Sequence, residues 1–385
     1  MHQHTWPFPA MVHSAVRLGE TIDANSYPGW TGMASWLAWV QPRRMSLSLS
    51  ILSAAGLLLV SAGFIYWACE YFVNGIEWVG RKTGVSQNAV GTVLAAFGTA
   101  LPESVVTFVA VVFGHGAAAK SIGVGAALGG PLVLATIAYP VVGIMLLFTS
   151  PKASQQPIDV NASRLGRDQS WFLLIFLFKI VLGFVAFTIK PWLGWLFLMA
   201  YAAYTWIEMR HEGDTPQGEP EPLKFQSKKP IPSTALAVLQ TLLALVVIFA
   251  ASHVFVTQLA VVGPWLGIPS TVVALLLSPI ATELPETMNA IIWIRQGKHR
   301  LALANISGSM MIQATIPTAL GLFFTPWLFD SALALAAMVT AAAVLGLMVF
   351  LRRNLLTPMR LTLFGIFYVI FAVGIVILRH EGRLT

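Results

Sequence analysis

The sequence predicts an all-α membrane protein, with about ten transmembrane helices in two inverted five-helix repeats. Three observations carry that expectation. Of 385 residues, 57% are hydrophobic and only 10% charged, a balance foreign to soluble domains. Apolar runs of about 20 residues, each able to cross a hydrocarbon core of roughly 30 Å, follow one another after residue 45. A short motif then recurs in each half, as Gly98-Thr99-Ala100-Leu101-Pro102-Glu103 and Ala281-Thr282-Glu283-Leu284-Pro285-Glu286.

Residues 1–44 hold three of the eight histidines and no spanning run. They are expected to be a disordered N-terminal tail or to come from an upstream start codon, with Arg43-Arg44-Met45 at the natural beginning of the first span. Breaks at charged or Pro/Gly-rich positions place spans at 48–79, 87–113, 121–149, 170–188 and 191–208. The second set lies at 233–261, 268–294, 300–325, 329–351 and 358–379. The first repeat is therefore 45–207, the linker 208–232 and the second repeat 233–385.

Basic residues test this order. Loops after odd-numbered spans carry fifteen Lys and Arg and the opposite side seven, which places the central loop in the cytoplasm and both termini outside. The expected location is a cell membrane, of the bacterial inner-membrane kind. The Arg43–Arg44 pair opposes this orientation. The net charge of +7 resides in these loops and calls for no nucleic acid. A single cysteine, Cys69, excludes an intrachain disulfide and a cysteine metal cluster.

Sliding the second half over the first by 183 positions superposes Glu70-to-Glu103 on His253-to-Glu286 without a gap. Phe72-Val73 meets Phe255-Val256, Gly84 meets Gly267, and the Pro-Glu motifs coincide. Gly129-to-Ile137 then matches Gly308-to-Ile316 at an offset of 179. An odd number of spans per repeat forces the two copies to enter the membrane in opposite senses, an arrangement common among secondary transporters.

A carboxylate within a span is a functional-site hypothesis by default. Proline there removes a backbone donor and frees a carbonyl. Thr99 and Glu103, like Thr282 and Glu286, are four residues apart and share a helix face. Hydroxyl, carboxylate and carbonyl oxygens are hard ligands that suit Ca²⁺ or Na⁺, and two facing glutamates would neutralise one divalent cation.

At these residues the chain resembles the calcium/cation antiporter superfamily, the sodium/calcium exchangers and their prokaryotic relatives. Their two alpha-repeats, here about 87–140 and 268–320, typically read Gly-Thr-Ser-Leu-Pro-Glu and then Gly-Asn-x-x-Gly-Ser-Asn. The resemblance implies that Glu103 and Glu286 bind Ca²⁺ and share in coupling-ion binding, with Thr99 and Thr282 as flanking donors. Ser309 matches the serine of the second repeat, Asn305 the asparagine before it, and Gln313 the acidic or amide position after it. Several positions depart from the pattern. Ala100 and Glu283 replace serines, Gly129-Gly130-Pro131 replaces Gly-Ser-Asn, and Ala126 and Leu134 stand where the first repeat usually offers asparagine. The implied activity is Ca²⁺ exchange for Na⁺ by alternating access, with H⁺ as the alternative coupling ion. The transported cations and the lipid bilayer are the expected partners; no cofactor and no obligate protein partner are implied.

The other polar residues of the spans have blander expectations. Glu77 is expected to snorkel or pair with Arg81, and Glu70 to pair with Lys179 or His253. Asn289 is expected to bond Glu286 or make a helix contact. Thr107, Thr136 and Thr315 are expected to satisfy local carbonyls, and Glu283 to be protonated or to face the cytoplasmic vestibule. An enzyme fits poorly: no His-Glu-x-x-His motif occurs, none of the five aspartates falls in the interior of a predicted span, Asp330 standing at the very start of one, and no nucleophile elbow accompanies His253. A channel would need a symmetric filter rather than inverted repeats.

Overall fold

A computed structural model describes residues 47–108, 111–112, 117–149, 155–210, 220–265 and 276–382. The expected tail at 1–44, Gly267 and the start of the seventh predicted span lie outside these. The chain divides into two units, Met1–Ser53 and Ala54–Thr385. Only residues 47–53 of the first are described, as the start of a helix.

The described residues are helical wherever they are regular. Helix α1 is Leu47–Thr83. A π-helical turn at Val90–Ala95 leads into α2, Ala96–Phe108. Helix α3, Ala117–Val133, passes through a second π turn, Leu134–Ala138, into α4, Tyr139–Thr149. Helices α5, Ala162–Phe184, and α6, Gly194–Arg210, complete the first half. In the second half, α7 is Thr234–Trp265, α8 Ser278–Thr282 and α9 Leu284–Arg295. Then follow α10, His299–Phe324, α11, Ser331–Arg352, α12, Pro358–Leu363, and α13, Gly365–His380. Among the described residues six helices are long and apolar enough to cross a membrane: Leu52–Thr83, Val124–Thr149, Thr234–Phe255, His299–Phe324, Ser331–Arg352 and Pro358–His380.

Helix α5 begins well before the predicted fourth span. Asn161 caps it, its side chain accepting from the Arg164 amide at 3.1 Å, the role for which asparagine is favoured at a helix start. Asp168, outside the predicted span, consequently lies within a helix and is buried.

Helix α10 occupies the interior. In its most apolar window 83% of the residues are buried, against 22–61% in the other five spanning-length helices, and it packs on α2, α3, α5, α6 and α9. Such a position requires small residues where backbones cross. A Cβ on Gly308 would fall 2.2 Å from the Thr92 carbonyl oxygen, and one on Gly91 2.8 Å from the Ala304 Cβ. The π turn holding Gly91 and Thr92 is thereby pressed directly onto α10.

Buried ion pairs tie the remaining helices together. Glu77 of α1 accepts from Trp293 Nε1 at 2.7 Å and pairs with Lys298. It therefore neither snorkels nor depends on Arg81, whose guanidinium lies over the Trp78 ring. Glu208 of α6 pairs with Arg167 of α5 and accepts from Asn88 Nδ2 at 3.0 Å.

The α10 crossing generates a packing prediction. Gly308→Ala meets backbone, which cannot step aside as a side chain could, so it should cost about 1–3 kcal/mol. Gly125→Ala, with nothing within 4 Å of the added carbon, should cost nothing. Thermal unfolding of the two variants in detergent, compared with the parent, checks the difference.

Candidate functional site

The two motif helices are broken differently. In the second half the helix stops at Thr282 and restarts at Leu284, with Glu283 between them at φ −87° and ψ 8°. Pro285 sits in the first turn of α9, where its missing N–H is no loss. Glu286 occupies the same first turn, where the positive end of the helix dipole favours a carboxylate. In the first half α2 runs unbroken through Pro102, which cannot return a hydrogen bond to the Gly98 carbonyl. The irregular turn lies earlier, at Val90–Ala95.

These helices bring the predicted residues together. Glu103, Glu283, Glu286, Thr99, Asn305, Ser309 and Gln313 are all buried, and Thr282 is half-buried. Each motif glutamate lies beside the other motif's threonine, Glu103 beside Thr282 and Glu286 beside Thr99. Glu283 lies against Glu103 and close enough to Glu286 to feel its charge. From α10, Gln313 Nε2 donates to Glu283 Oε1 at 2.6 Å, and Asn305 Nδ2 to the Glu286 carbonyl at 3.4 Å. The Gln313 carboxamide packs against Gly130 of α3, where a Cβ would stand 2.5 Å from its Oε1.

The oxygens of this cluster are undersatisfied. Glu103 Oε2, Glu283 Oε2, Glu286 Oε2, Asn305 Oδ1, Ser309 Oγ and Gln313 Oε1 are buried without a hydrogen-bond partner. A buried polar atom left unpaired costs about 1–3 kcal/mol, and several in one place call for an explanation. Thr99 and Thr282 donate their hydroxyl protons to the Ala95 and Pro279 carbonyls, both at 3.1 Å, so their lone pairs remain available as acceptors. Among the described residues no group of three or more His, Cys, Asp or Glu is arranged to hold a metal ion unaided. A cation here would draw on the neutral oxygens as well, the donor set that suits a hard cation.

Comparison with known proteins identifies the family. The sodium/calcium exchanger protein family matches residues 53–210 and 236–378. The chain belongs to the sodium/calcium exchanger family. It is a transmembrane cation antiporter by family, with transport rather than catalysis as its activity. It is 26% identical to a protein named CaxA from Alkalimonas amylolytica over 74% of this chain and 85% of the relative. It is 24% identical to the sodium/calcium exchanger MaX1 of Methanosarcina acetivorans, over 77% of this chain and 90% of that protein. The fold is similar to that of the sodium-calcium exchanger NCX_Mj, with a TM-score of 0.65 at 21% identity, covering 83% of this chain and 98% of the other.

Several expectations around the site need correction. Glu70 pairs with Lys224 at 3.2 Å rather than with Lys179 or His253. It lines a polar pocket with Glu221, Lys224 and Arg295. Lys179 is buried elsewhere and donates to the Ala127 carbonyl at 2.8 Å. Asn289 does not bond Glu286: both polar atoms of its amide are buried without a partner. Thr136 and Thr315 do satisfy local carbonyls, those of Leu132 and Met311, each at 2.6 Å, whereas Thr107 Oγ1 has no partner.

Asp168 is the polar residue that sequence reasoning missed. It is buried in α5 and accepts from Ser307 Oγ of α10 at 3.3 Å. Recognition of the Asn161 cap would have placed it inside the helix.

Proposed function

We propose that this protein exchanges Ca²⁺ for Na⁺ by alternating access, with the ions held between Glu103 and Glu286. The placement of each glutamate beside the other motif's threonine carries this reading, because it makes one site from two copies of one motif. Asn305, Ser309, Gln313 and Glu283 supply further oxygens, several of them buried without another partner. The proposed frame is ten spans in two inverted repeats, 45–207 and 233–385, around a cytoplasmic linker at 208–232 with the termini outside. CaxA and MaX1, named an antiporter and a sodium/calcium exchanger and matched along most of their length, support the exchange reading.

Glutamine keeps the size of glutamate and removes its charge. Glu103→Gln and Glu286→Gln should each weaken Ca²⁺ binding by about 1.5–3 kcal/mol, the range for losing a charged hydrogen-bonding partner. That is roughly ten- to a hundredfold, and folding should survive. Isothermal titration on purified variants checks it; a folded Glu103→Gln protein with parental affinity rules the assignment out.

Orientation is tested at the linker. A cysteine at Ser227, an exposed position, should react with a membrane-impermeant maleimide only after the cells are opened. Labelling in intact cells reverses the topology.

The coupling ion is decided by substitution. Sodium needs several neutral oxygens, and Thr99, Thr282, Ser309 and Gln313 still provide them. A third carboxylate, Glu283, and the donors absent at Ala100 and Gly130 favour the proton reading instead. In Ca²⁺-loaded vesicles at fixed external pH, replacing external Na⁺ with choline should abolish efflux. Undiminished efflux accompanied by a change of internal pH would identify a Ca²⁺/H⁺ antiporter.

A further inference from the structure

A second pair of buried carboxylates lies outside the ion site. Asp168 of α5 and Glu208 of α6 are each 1% exposed and close enough to feel one another's charge. Glu208 has both oxygens occupied, one by Arg167 and the other by the Asn88 amide. Asp168 does not. Its Oδ2 accepts from Ser307 Oγ of α10 at 3.3 Å, and its Oδ1 is buried without a hydrogen-bond partner. Arg167 acts on Asp168 as well, yet two carboxylates and one guanidinium leave one negative charge inside the fold.

Neutral oxygens around Asp168 are unpaired too. The Tyr204 hydroxyl lies beside it from α6, fully buried and without a partner. Gln169 is fully buried and gives its Nε2 to the Tyr139 hydroxyl at 2.8 Å, leaving Oε1 unpaired. Tyr139 in turn senses the Asp168 charge. Unpaired buried oxygens are costly, and three beside an uncompensated charge call for one ligand that engages them together. A proton serves a single oxygen, whereas a hard metal cation takes several at once. With one carboxylate uncommitted, the charge to be balanced is that of Na⁺ and not of Ca²⁺.

We propose that Asp168 anchors a second cation site, which holds one Na⁺-like monovalent ion between α5, α6 and α10 with Tyr204 and Ser307 as neutral donors. The ion is a fixed brace and not cargo. Ser307 lies about 200° around α10 from Asn305, so Asp168 and the glutamates stand on different sides of that helix. Ser307 adjoins Gly308, where the Thr92 backbone presses onto α10, and Tyr204 lies beside Thr92 as well. A cation at Asp168 therefore ties α5 and α6 to the crossing that keeps α10 in place. The site goes beyond the exchange reading and holds whichever ions the glutamates carry.

The test is ²²Na⁺ equilibrium binding to the purified full chain in detergent, with Na⁺-dependent thermal stability as a second readout and choline as the balancing ion. Asp168→Asn is made in the wild type and in a Glu103→Gln, Glu286→Gln background. One Na⁺ equivalent should disappear in both, and with it the part of the melting-temperature rise that Na⁺ still gives the background protein. Tyr204→Phe keeps the ring and removes one neutral donor. It should weaken Na⁺ affinity in the background about two- to tenfold, and it serves where Asp168→Asn does not fold. Binding unchanged by both substitutions overturns the inference. So does a loss confined to the wild type, which would mean that Asp168 acts through the glutamates. Stabilisation by low pH that Na⁺ fails to reproduce overturns it too, and makes a proton the ligand of Asp168.

Discussion

Carboxylates brought together away from water set the terms for the structure around them. An ionised carboxylate in a low-dielectric interior costs several kcal/mol unless something compensates it. Here Glu103, Glu283 and Glu286 are buried side by side. Compensation comes partly from the protein: the Gln313 amide and the N-terminal turn of α9. The remaining acceptor capacity is spread over glutamate, asparagine, serine and glutamine oxygens, which is the capacity the proposed cation would use. A transported ion needs such incomplete satisfaction, because a site saturated by its own donors would have no reason to bind, and one with too deep a deficit would not release.

The helices are shaped by this requirement. Straight α-helices spend every carbonyl on themselves, so a site built from helices must interrupt them. The first half does so with π turns at Val90–Ala95 and Leu134–Ala138, and the second with the break at Glu283. Similar motifs thus lie on helices that are distorted in different ways. Helix α10 remains continuous through Pro317 and serves as the common wall. Asn305, Ser309 and Gln313 recur every four residues and line the face toward the glutamates, while Ser307 turns away to Asp168. Its burial is possible because Gly308 lets the Thr92 backbone approach as no larger residue would.

Much of this was legible in the chain because membrane helices announce themselves by length and hydropathy, and because a repeated Pro-Glu inside an apolar run has few structural excuses. The misreadings have two causes. Glu70 and Glu77 were matched to partners by sequence proximity or repeat equivalence, yet their partners Lys224 and Lys298 lie 154 and 221 residues away. Asp168 was set outside a span because hydropathy finds the apolar middle of a helix and not its capped polar start.

By itself the sequence determined the class of protein, the family and the residue types of the candidate site, since composition, period and motif are all local properties. Tertiary structure decided which oxygens share a site, because that depends on how helices cross. The exchange of threonine partners between the motifs, the grip of Gln313 on Glu283 and the bond from Lys179 to the Ala127 carbonyl are contacts between distant segments. No spacing along the chain encodes them: they exist only once the helices have packed together.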